Sequence, residues 1–291
     1  MEKIDRIILG SNAFEGVGYL SRAQTQNYIE FFSKKENIIP ILEASFNLGI
    51  KSFMCSNNSN ILSALENFKN SSELSILAVI PNAYEYARES TEKGVLGTIL
   101  SKAKEIDLYR KVRLGLKALR KIQGIITKDL LTLLTNLMDF EMASFHPYNV
   151  KGVILHGQVT DLALSSDNRE IFDVYQDLVR ERYKAQPILA THNFGTLLPK
   201  LLEWNINMPI LASFNKKGFI MKPSQEECEK LLEKTDYYII AKKVLAGGRL
   251  NPEEAFPYLS DKNIGSCVLG VGSLSEAYHT LSVAKSNFLT P

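Results

Sequence analysis

The chain has 291 residues, 45% of them hydrophobic and 23% charged, with a formal net charge of +2. That is the composition of an ordinary globular protein with a large core, and its near-neutral balance gives no electrostatic case for nucleic acid. The three cysteines, Cys55, Cys228 and Cys267, form no C-x-x-C pair; this disfavours a disulfide framework or structural zinc and fits a reducing cytoplasm, while no apolar run is long enough for a signal peptide or a membrane span.

Short apolar runs alternate with amphipathic segments along the chain. The runs Arg6–Gly10, Lys51–Ser56, Leu74–Pro81, Val150–Gly157, Gln186–Asn193, Met208–Asn215, Asp236–Val244 and Ser266–Gly272 read as eight strands. They lack strict alternation, as parallel strands buried on both faces do. Helices are expected between them. Ile38–Leu48 stops at Gly49, Asn60–Phe68 follows the second run, and Arg169–Tyr183 and Thr196–Trp204 follow the fourth and fifth. Ser224–Glu233 opens with a capping box to Glu227, Asn251-Pro252-Glu253-Glu254 reads as an N-cap, a first-turn proline and two acids, and Ser275–Ser286 comes last. Eight strands alternating with helices predict one (β/α)8 TIM barrel over residues 1–291, with a doubly wound open sheet as the alternative. A long helical insertion, about 82–149, separates strands three and four. Its Lys102–Lys128 stretch carries nine basic and two acidic residues, which reads as a solvated face or as a lid that steers an anion.

In such barrels the chemistry lies at the C-terminal ends of the strands. Here those ends read Gly10-Ser11-Asn12, Cys55-Ser56-Asn57-Asn58, Pro81-Asn82 with Tyr84 nearby, His156-Gly157-Gln158 with Asp161, Thr191-His192-Asn193, Ser213-Phe214-Asn215, Lys242-Lys243 and Gly270-Val271-Gly272-Ser273. Amides, hydroxyls and cations dominate, and carboxylates are scarce. No metal site is therefore expected, and a glycosidase pair of acids is disfavoured. The positive signal is for an anion. Gly247-Gly248 permits close backbone approach, Arg249 can fork onto a phosphate, and Gly272-Ser273 opens a helix whose free N–H groups attract one.

The stretches "IIAKKVLAGGRL", "PEEAFPYL" and "CVLGVGSLSEAYHTL" resemble the C-terminal third of the aldo/keto reductase superfamily, and "ILATHNFGTLLPKLLEW", "SFNKKGFIMKPS" and "VKGVILHG" extend the likeness backwards. The resemblance implies an NADP(H) cofactor across the barrel mouth. Leu245, Gly247, Gly248, Arg249, Gly272, Ser273 and Glu276 would line its phosphate end, and His192, Asn193 and Asn215 would lie near the nicotinamide. It also implies a tyrosine acid supported by lysine, aspartate and histidine. Of these only His156 is present: Met54 stands at the aspartate position, Ser59 falls near the tyrosine position, and the third strand has no lysine.

Three functions follow as expectations. The first is a divergent NAD(P)H-dependent reductase of a small, anionic or phosphate-bearing carbonyl compound, with Tyr84 or Lys242 giving the proton and His156 orienting the carbonyl. The second is a non-redox enzyme in which Lys242 is a Schiff-base nucleophile, its pKa depressed by burial and Lys243, with His156 or His192 moving protons. The third is a ligand-binding barrel without catalysis.

Overall fold

The computed structural model of the protein describes residues 4–81 and 130–288. All eight predicted strands form: β1 Ile7–Gly10, β2 Ser52–Ser56, β3 Ser75–Ile80, β4 Val150–Leu155, β5 Gln186–Ala190, β6 Ile210–Ser213, β7 Ile239–Lys242 and β8 Ser266–Gly270. They pair in parallel in chain order, and β8 closes on β1 through Ile8↔Val268 and Leu9↔Leu269. This is the expected (β/α)8 barrel. Pairing stops earlier than the apolar runs do. The runs reach Gly157, Asn193, Asn215 and Val244, whereas the strands end at Leu155, Ala190, Ser213 and Lys242. The extra residues turn over the mouth of the barrel.

Ten helices are described: α1 Arg22–Phe31, α2 Ile39–Asn47, α3 Ser59–Asn67, α4 Leu130–Phe145, α5 Gly157–Ser165, α6 Arg169–Asp177, α7 Phe194–Glu203, α8 Gln225–Glu233, α9 Pro252–Ser260 and α10 Leu274–Phe288. The capping signals locate most of them. Asn251 accepts from Glu254 N–H while the Glu254 side chain returns to the Asn251 N–H, a complete capping box with Pro252 in the first turn. At α8 only half the expected box forms: Ser224 Oγ accepts from Glu227 N–H. Gly49 follows α2 with φ +80°, the left-handed position a helix end needs. The expected helix Arg169–Tyr183 is α6 continued by a π-helical turn over Leu178–Tyr183.

Two helices carry no sequence signal used above. None of the residues of α1 is buried, so it has no apolar face to read. Helix α5 starts directly at the end of β4, capped by the imidazole of His156 rather than by a usual capping residue. Of the expected insertion, only its end is described, as α4; Tyr84 and Lys102–Lys128 lie outside the described residues.

The core has two layers. The larger one fills the space between strands and helices. The smaller one lies inside the barrel and contains Ile8, Met54, Leu77, Ile154, Ile188, Ala190, Leu211, Ile240 and Val268. The buried Tyr175 stitches the two layers at the β4–β5 seam. Its hydroxyl donates toward the carbonyls of Val153 (2.6 Å) and Ile188 (2.9 Å) and accepts from the N–H groups of Leu155 and Ile188 (3.1 Å each).

Candidate active site

Side chains alternate along a strand, so the residue two positions after each inner-core residue also faces the barrel axis. Counting on from Ile8, Met54, Ile154, Leu211, Ile240 and Val268 gives Gly10, Ser56, His156, Ser213, Lys242 and Gly270. These form the uppermost inward tier. Above them opens a cavity of about 960 Å³, whose lining includes Ser56, His156, His192, Lys242, Lys243 and Glu15, with Met54, Val79, Leu211 and Val268 below. Of the two glycines in this tier, Gly10 is covered by the Val268 side chain, which would lie 2.7 Å from an added Cβ. At Gly270 an added Cβ would meet nothing within 4 Å, so the β8 side of the tier is open.

Lys242 stands at the end of β7, mostly shielded from solvent, and its side-chain amine makes no hydrogen bond or ion pair among the described residues. Burial, with the Lys243 ammonium beside it, pulls its amine from the usual lysine range down to about 7. Burial likewise brings Lys243 to about 8, and its ammonium lies 3.7 Å from the centroid of the Tyr19 ring. Lys243 is held in the left-handed region (φ +55°), as is Ala246 (φ +50°), ahead of Gly247 and Gly248. A non-glycine residue held there costs about 1–3 kcal/mol and marks a loop fixed by its surroundings.

Two histidines complete the basic side. His156 Nδ1 accepts the N–H of Gln158 (3.2 Å), which places the proton of the neutral ring on Nε2. Burial, then Lys242 and His192, holds its pKa at about 4, so the ring is neutral at physiological pH. His192 has the complementary arrangement. Its Nδ1 lies 3.0 Å from Asp161 Oδ2, so Nδ1 carries the proton and Nε2 is the acceptor. Asp161 also accepts from Thr191 Oγ1 (2.6 Å) and the His192 N–H. Burial works to raise the Asp161 carboxyl, but these hydrogen bonds outweigh it and hold the group below its usual value. Gly157 lets His192 sit there, since a Cβ would come within 2.9 Å of the ring. Ser213, the register partner of Lys242 on β6, is buried with its hydroxyl unpartnered among the described residues.

At the expected phosphate end the chain already engages several of the groups itself. Gly272 N–H donates to Glu276 Oε2 (2.7 Å), and Ser273 Oγ accepts from Glu276 N–H (3.1 Å), so the start of α10 is already capped by a carboxylate. The Tyr28 hydroxyl packs on Gly272, where any Cβ would collide with it. Gly247 and Gly248 make room for Tyr19 and Leu20: added Cβ atoms would lie 2.9 Å from Tyr19 Cβ and 3.1 Å from Leu20 Cδ1. Arg249 donates to the carbonyls of Ala246 and Tyr19 (3.1 Å each), with its guanidinium over the Phe219 ring. Asn215 is fully buried and clamps its own loop through Phe219 N–H and C=O. Asn193 Oδ1 accepts from Thr196 Oγ1 in the first turn of α7. The residues as arranged do not fit the phosphates of NADP(H): the helix end they would use holds an anion of its own.

The structure thus gathers His156, His192, Lys242, Leu245, Gly247, Gly248, Gly272 and Glu276 around one cavity, and leaves Asn193, Asn215, Arg249 and Ser273 outside its lining. Asp161 and Glu15 are functional candidates that the rim sequence underrated. Asp161 sits on the unforeseen helix α5, and Glu15 lies in the long connection after β1, five residues beyond the strand end.

Among solved structures, two from Pseudomonas aeruginosa described as candidate aldo-keto reductases share this fold. One is 13% identical, with 98% of this chain and 91% of that chain covered and a TM-score of 0.55. The other is 14% identical, covering 98% and 90%, with a TM-score of 0.56. The likeness shows a shared (β/α)8 fold. No protein-family model matches the chain, and no curated protein matches it.

Proposed function

We propose that the protein is an enzyme that forms an imine between Lys242 and a small carbonyl substrate. The carrying observation is a lysine amine without an ion-pair partner among the described residues, enclosed at the barrel mouth beside a second lysine, the neutral ring of His156 and the Asp161-bound ring of His192. With a pKa of about 7, a large share of Lys242 is the nucleophilic free base at neutral pH. Its nitrogen bonds to the carbonyl carbon while the C=O electron pair moves to oxygen. His192 Nε2 takes the proton released from nitrogen, and Asp161 stabilises the resulting imidazolium. His156 Nε2–H donates to the oxygen. The oxygen takes the proton returned from His192 to give the carbinolamine; with a second proton, from solvent, it leaves as water as the nitrogen lone pair closes the iminium, which weakens the bonds α to the former carbonyl. Lys243, lining the same cavity, supports an anionic group on the substrate.

Reduction with NADPH is the second reading. It is supported by the fold shared with candidate aldo-keto reductases and opposed by the Glu276 carboxylate on the Gly272 N–H. The three cysteines, all free and buried, support a reducing compartment such as the cytoplasm. Among the described residues no helix is long and apolar enough to cross a membrane.

The test is intact-mass measurement after incubation with a panel of aldehydes and 2-oxo acids and reduction with borohydride, beside a calorimetric titration with NADPH. A single reduced adduct, lost in Lys242→Ala, is the expected result. Saturable NADPH binding without any adduct would replace this reading with the reductase one.

A further inference from the structure

The open part of the cavity lies between Lys242 and a fixed carboxylate. Glu15 bridges the ends of two strands: Ser11 Oγ donates to its Oε1, and Ser56 Oγ donates to its Oε2 at 2.7 Å. Ser11 follows β1 and Ser56 ends β2, so the carboxylate is pinned over the β1–β2 seam. Lys242 ends β7. Between them stand β8 and the near side of β1, whose inward residues at this level are Gly270 and Gly10. Both glycines line the cavity, as do Glu15 and Ser56. At Gly270 the space is open, and at Gly10 the Val268 side chain takes the place of a Cβ, so the cavity runs from an amine to a carboxylate over Gly270 and Val268.

A carboxylate in that position accepts hydrogen bonds and donates none. Two are supplied by Ser11 and Ser56, and its oxygens carry further lone pairs. A distal carboxylate or phosphate on the substrate would be repelled there, whereas a hydroxyl or ammonium group would be bound by a charge-assisted hydrogen bond. We infer that Glu15 is a specificity residue that selects substrates carrying a hydroxyl or amine a few carbons from the carbonyl, so that the substrate class is the short hydroxylated aldehydes and 2-oxo acids. This rests on the reading of Lys242 as the imine-forming residue. It places any acidic group at the Lys243 end and the hydroxyl at the Glu15 end.

The pair erythrose and butanal tests this, each normalised to its trapping by free Nα-acetyl-lysine. The parent protein is expected to trap erythrose preferentially. Glu15→Gln, which keeps size and one acceptor oxygen, is expected to lower the erythrose-to-butanal ratio about 10-fold. Ser56→Ala, which frees one side of the carboxylate, is expected to lower it less. Gly270→Leu, built into open space, is expected to depress trapping of both compounds. Thermal unfolding midpoints confirm that each variant is folded. Saturation-transfer NMR with the same pair on Lys242→Met reads the preference without imine formation. Preference in that variant with no adduct in the parent would overturn the imine and leave Glu15 standing. A ratio equal in the parent and Glu15→Gln, by trapping and by NMR, would overturn the role of Glu15.

Discussion

Lys242 and His156 share a cavity in which burial disfavours both charged forms, with Lys243 adding to the effect on Lys242 and Lys242 to that on His156, and this has measurable consequences. The unfolded lysine titrates near ~10.4, the folded one at about 7. Between those values the unfolded chain binds more protons, so stability rises with pH across that window, and the penalty is complete below about 7. Lys242→Met is therefore expected to raise the denaturant midpoint at pH 6, with a smaller gain at pH 9. His156 has the same sign at lower pH. Its folded pKa of about 4 lies under its ordinary 6.5, so its contribution is present above 6.5 and is lost as pH falls to about 4. The Asp161–His192 pair is testable by kinetics. Asp161→Asn removes the carboxylate charge that stabilises a protonated His192 and replaces one of its two acceptor oxygens by a donor, and imine formation is expected to slow by about 10²-fold, the low end for general base catalysis. A rate within twofold of the parent would remove the pair from the chemistry.

At the scale of elements, the strands place the site and their seams hold it in register. Tyr175 closes four hydrogen bonds between α6, β4 and β5, the strands that deliver His156 and His192. Tyr175→Phe leaves two buried N–H groups without that partner and is expected to cost about 3 kcal/mol, read by chemical denaturation. The eight strands and most helices were legible because buried parallel strands are apolar throughout and because Ser224, Asn251 and Gly49 punctuate the helices. Helix α1 was not, because it buries no residue, and α5 was not, because a histidine caps it. Asp161 was legible as a rim residue but its role was not, and Glu15 was not singled out. A carboxylate becomes a tautomer clamp or one end of the cavity only through partners thirty and forty-one residues away in sequence, Thr191–His192 and Ser56.

For the whole molecule, the fold expected from the strand pattern is the closed barrel. The fold, the cavity and its positions on β4, β5 and β7 follow from a (β/α)8 plan, and the fold is shared with the two Pseudomonas aeruginosa structures. Glycines at 247, 248 and 272 matched a cofactor loop in sequence. In three dimensions they accommodate Tyr19, Leu20 and Tyr28, which reach across from the connection after β1 and from α1. A glycine marks a close approach without saying what approaches. The measurement that bears most directly on the central claim is peptide-mapped borohydride trapping across pH. An adduct confined to Lys242, with a yield that rises through a midpoint near 7, is expected. Adducts scattered over exposed lysines, with a midpoint near ~10, would contradict it.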